Sequence, residues 1–63
     1  MIHLTRIRPL GRYVNPETGH PVNVHKGARR GRGTDHLFYL LRGRRILIAD
    51  NEFRERWVEV KPL

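Results

Sequence analysis

The chain has 63 residues, no cysteine and no serine, and carries 13 Lys and Arg against 6 Asp and Glu, for a net charge of +7. A chain of this length makes one small domain, burying only about 60% of the surface its unfolded form exposes. The missing cysteine excludes disulfides and thiolate metal sites, and with serine also missing the two commonest activated nucleophiles are gone.

The first segment, "HLTRIRPLGRYV", begins with partial alternation, Ile2 and Leu4 on one face, His3 and Thr5 on the other. Pro9 and Gly11 interrupt it, which predicts one short strand, a bend, and a second strand from about Arg12. "YVNPETGHPVNV" then reads as a hairpin. Pro16 suits a turn position with φ near −65°, Gly19 suits positive φ, and Tyr13-Val14 and Val22-Asn23-Val24 flank them as β-type runs.

Residues 26–33, "KGARRGRG", place four cationic side chains and three glycines in eight positions. Their glycine content predicts a mobile basic loop over 26–35 that orders on a polyanion. The segment is not a phosphate cradle, since it matches neither G-x-x-x-x-G-K-[ST] nor a G-x-G-x-x-G opening a helix after a strand.

"LFYLL" is a continuous apolar run, as expected of a strand buried on both faces. Arg42-Gly43 separates it from "RILIAD" as a second tight hairpin, with Gly43 supplying positive φ. Asp50 is placed to N-cap a short helix through "NEFRERW", in which Glu52 and Arg56 form an i, i+4 pair. Phe53, Trp57 and Val60 have helical spacing, but "WVEV" also reads as a last strand with Val58 and Val60 inward. The balance favours a helical turn followed by a strand.

These elements predict a mostly β fold, all-β or α+β, as one domain over residues 1–63. Four to five short antiparallel strands would form a small SH3-like or OB-like open barrel, with one short helix or helical turn near 50–56.

The distribution of charge says more than its total. Residues 1–45 hold ten basic and two acidic residues, or +8, whereas 46–63 hold three basic and four acidic, or −1. Arginine outnumbers lysine eleven to two, and guanidinium forks bind phosphate and base edges bidentately. The asymmetry points to a polyanion, nucleic acid first and anionic membrane second. The phosphate-binding candidates are Lys26, Arg29, Arg30 and Arg32 in the loop and Arg42, Arg44 and Arg45 at the second hairpin. One strand separates these clusters, so they form a stripe, which Arg6, Arg8 and Arg12 extend. Tyr13 and Tyr39 are the candidate stacking platforms for bases, against the competing demand of a core with only five aromatic residues.

Catalysis is not expected. The acids are scattered, Asp35 and His36 would point to opposite faces of a strand, and a chain this short has little room for a substrate pocket. No metal or cofactor is expected either, because His20 and His25 fall on opposite faces of a regular strand. "MIHLTRIRPL" lacks the apolar core of a signal peptide, so the expected setting is the cytoplasm, with no membrane partner. The function expected is a non-enzymatic accessory or regulatory protein that binds DNA or RNA. The alternative is an interaction module docking on an acidic protein or on a second copy of itself.

Overall fold

The computed structural model describes residues 4–29 and 35–61. They form β1 (Leu4–Val14), β2 (Pro21–Arg29), β3 (Asp35–Leu41), β4 (Arg44–Ile48), α1 (Asp50–Arg56) and β5 (Val58–Glu59). The strands make one antiparallel sheet in the order β4-β3-β2-β1-β5. Four strands follow one another as a meander, and β5 returns to the outer side of β1 opposite Tyr13 and Val14.

The sheet is not closed into a barrel. Its edges are β4 and β5, and among the described residues no pairing joins them. After Ile48 the backbone enters α1, which separates β4 from β5, and β5 pairs with β1 on the far side of the sheet.

The expected break in the first segment is also absent. Pro9 and Gly11 lie inside one strand of 11 residues, which absorbs them through register shifts between Thr5 and Arg8 and between Pro9 and Gly11. Such bulges bend a strand without ending its pairing.

Both hairpin turns follow their local chemistry. In the first, Gly19 takes φ +76° and its N–H donates to the Asn15 carbonyl at 2.7 Å, while the Asn15 N–H donates to the His20 carbonyl at 2.9 Å. In the second, Arg42 (φ +51°) and Gly43 (φ +81°) both have positive φ, the requirement of a two-residue type I′ turn.

The register fixes the two faces of the sheet. Val24, Tyr39 and Ile46 stand in one cross-strand row, with Leu37 and Ile48 beside them and Tyr13 opposite Val22. Phe53, midway along α1, and Trp57, just past its end, cover this row and complete the main core. Tyr39 and Trp57 pack at 5.6 Å between ring centroids, and Tyr13 and Phe53 at 4.7 Å. On the opposite face Phe38 is only 2% exposed, stacked on His25 at 5.5 Å, with the Arg45 guanidinium 5.3 Å from its ring.

Adjacent Phe38 and Tyr39 are therefore buried on opposite faces. The apolar run does not stay buried to its end, since Leu40 and Leu41 are each 54% exposed.

The helix begins one residue earlier than its capping chemistry suggested. Ala49 holds the N-cap position without a side-chain bond, and Asp50 lies in the first turn, where its charge faces the positive end of the helix dipole. The helical turn is followed by a strand, but with the opposite phase to that expected. Trp57 is buried, while Val58 is 65% exposed and Val60 is exposed as well.

Candidate nucleic-acid interface

The predicted basic loop is strand at both of its described ends. Lys26, Gly27, Ala28 and Arg29 belong to β2, paired with β1 on one side and, through Ala28, with β3 on the other. Asp35 opens β3. Arg30 and Arg32 lie outside the described residues.

Gly27 has a steric role there. A Cβ built on it would lie 3.1 Å from Leu4 Cβ and 3.2 Å from Ile7 Cγ1, because β1 bulges over it on the side away from the helix. Its missing side chain admits the neighbouring strand.

The remaining candidates do not share one face of the sheet. Arg42, Arg44 and Arg45 sit at the far end of β3, about 20 Å along a seven-residue strand from Asp35. Arg44 lies opposite Leu41 and Arg45 opposite Leu40, so the two point to opposite faces. Arg29, at the end of β2, faces Leu4 across the ladder and is half-buried.

Tyr39 is no stacking platform. It is 9% exposed, wedged against Trp57, and its hydroxyl accepts a hydrogen bond from Asn15 Nδ2 at 3.3 Å. A base cannot reach its face without opening the core. Tyr13 is half-buried, with one face committed to Phe53.

A different set of cations converges. Arg6 and Arg8 of β1 and Lys26 of β2 line an open groove of about 230 Å³, completed by Gly27, Ala28 and Asp35. Arg8 lies directly opposite Lys26 in the ladder. Arg6 reaches the same groove through the bulge, where its backbone takes φ +54°. The second register shift turns Arg12 to the other face, opposite Asn23.

Lys26 Nζ lies 3.3 Å from Asp35 Oδ2, with both side chains about a third or more exposed. Such a pair contributes only about 0–1 kcal/mol and yields readily to a competing anion. Counting it, the groove carries a net charge of +2, three cations against one carboxylate.

A second groove of about 230 Å³ continues past the same ion pair, lined by Lys26, Asp35, Leu37, Asp50, Phe53 and Arg54. It runs between the sheet and α1 and has an apolar, aromatic lining that the first lacks. Arg54 carried no signal in the sequence beyond its place in the helix.

The described histidines do not form a cluster. His20 is exposed in the first turn, and its N–H donates to Thr18 Oγ1 at 3.2 Å. His25 Nδ1 and His36 Nε2 are buried without hydrogen-bond partners. Among the described residues no three His, Asp or Glu side chains converge on one point. No helix there is long and apolar enough to cross a membrane.

Comparison with protein-family models, with curated proteins and with solved structures gives no significant match to this chain. The functional reading therefore stands on the residues themselves.

Proposed function

We propose that this chain is a small non-enzymatic protein that binds nucleic acid, holding phosphates with cations carried on the sheet. The observation that carries the reading is the segregation of charge by structural element. β1 to β4 with their described turns present Arg6, Arg8, Arg12, Lys26, Arg29, Arg42, Arg44 and Arg45 against Glu17 and Asp35. The segment from α1 onward carries Asp50, Glu52, Glu55 and Glu59 against Arg54, Arg56 and Lys61.

A solubilising surface needs no such separation. The excess positive charge of the sheet attracts a polyanion, and each phosphate neutralised by Arg or Lys releases condensed counterions. The test is a titration of labelled duplex and single-stranded oligonucleotides at two salt concentrations. Binding that weakens steeply with salt supports the reading, and no binding even at low ionic strength overturns it.

Self-association is a second reading. Leu40 and Leu47 are exposed on the face away from α1, beside the unpaired edge of β4. Unpaired edges of this kind add strands from other chains. Light scattering decides it, a dimer mass supporting this reading and a monomer mass at high concentration opposing it.

A further inference from the structure

The two grooves flanking Lys26 and Asp35 are unlike in chemistry and share a wall. On one side, Arg6, Arg8 and Lys26 offer guanidinium and ammonium donors in a mainly polar groove. On the other, Leu37 and the Phe53 ring form an apolar patch, and Arg54 and Asp50 line the same groove with offsetting charges. A ligand that fills both carries an anionic group and a flat apolar group on one flexible chain.

We propose that this double groove holds a single-stranded segment of nucleic acid, with a phosphate among Arg6, Arg8 and Lys26 and the adjoining base against Leu37 and Phe53. The proposal rests on the nucleic-acid reading above and narrows it. A duplex presents its phosphates outward but keeps its bases stacked inside, so it can use only the cationic half. An unpaired strand exposes both groups, and base-to-aromatic contact tolerates any sequence.

On the duplex side the described residues offer no protruding helix, since α1 has seven residues and lies against the sheet through Phe53. The β3–β4 hairpin with Arg42, Arg44 and Arg45 is a two-stranded ribbon, but its tip lies at the far end of β3 from the double groove.

The Lys26–Asp35 pair sits where the two halves meet. A phosphate entering the cationic half takes over Lys26 as partner, and the Asp35 carboxylate opposes it. Asp35 therefore weakens the site, and its removal strengthens binding.

The experiment compares three labelled probes of equal length on the intact chain by fluorescence anisotropy: a single-stranded oligonucleotide, its duplex, and an abasic strand with the same phosphates. The expected order is single strand tightest, with the abasic strand at least about fivefold weaker, the low end of what stacking one base contributes. Arg8→Ala and Arg54→Ala, both at exposed positions, each weaken the single strand severalfold, and Asp35→Asn tightens it. Circular dichroism verifies that each variant folds.

Equal affinity for the single strand and the abasic strand overturns the base contact. A duplex bound as tightly as the single strand overturns the strand preference, while leaving nucleic-acid binding intact. An acidic peptide that outcompetes all three probes overturns the choice of ligand. Failure of every nucleic-acid probe at low salt removes the broader reading together with this one.

Discussion

Asn15 Nδ2 donates to the Tyr39 hydroxyl across 3.3 Å, joining the first hairpin turn to the centre of the sheet. Asn15 is 4% exposed, and its Oδ1 also accepts the Glu17 N–H at 3.0 Å. One side chain thus closes the turn on itself and satisfies a phenol at the edge of the core. Asn15→Ala removes both bonds and is expected to lower stability by about 1–3 kcal/mol. Tyr39→Phe leaves Asn15 Nδ2 without its partner but keeps the turn, so its cost is smaller. Thermal melts of the two variants test the order, and equal melting temperatures would show that the turn bond contributes nothing.

Gly27 is where β1 crosses closest over β2. Alanine there needs Leu4 and Ile7 to give by a few tenths of an ångström, and valine needs more than they can give. Gly27→Val is expected to destabilise by about 1–3 kcal/mol, the usual cost of overpacking. Gly27→Ala costs less. A flexible loop would accept both substitutions, so denaturant midpoints for the pair separate a steric role from a flexible one.

Arg42 occupies the left-handed region at the tip of the second hairpin, a conformation that a long side chain adopts at a cost of about 1–2 kcal/mol. Arg42→Asn should raise the melting temperature, because asparagine tolerates this conformation and Asn-Gly is the preferred type I′ pair. The same substitution removes one cation. A protein that becomes more stable yet binds oligonucleotides more weakly would assign Arg42 to the ligand and not to the fold.

Much of the fold was legible because its turns are written locally. Asn15 to Gly19 and Arg42-Gly43 each force a reversal whatever surrounds them, and the strands between them follow. The unity of β1 was not legible, since Pro9 and Gly11 break a strand or bulge it according to what the neighbouring strand needs. Gly27 reads the same way in sequence whether it frees the chain or admits a neighbour. Phe38 and Tyr39 are both closed off by a strand buried on both faces, which makes Tyr39 part of the core and not a platform. Arg6 and Arg8 reach one groove through a bulge and not through simple alternation, and Arg54 lines the adjoining groove only because α1 lies on the sheet.

The central claim is that sheet-borne cations hold a phosphate backbone. Its most direct test is the affinity for a labelled single-stranded oligonucleotide measured across a salt series, for the native protein and for Lys26→Ala. With Arg6, Arg8 and Lys26 engaged, log K should fall against log salt with a slope of about −2, and Lys26→Ala should flatten it by about 0.7. A slope near zero, or one that Lys26→Ala leaves unchanged, would contradict the account.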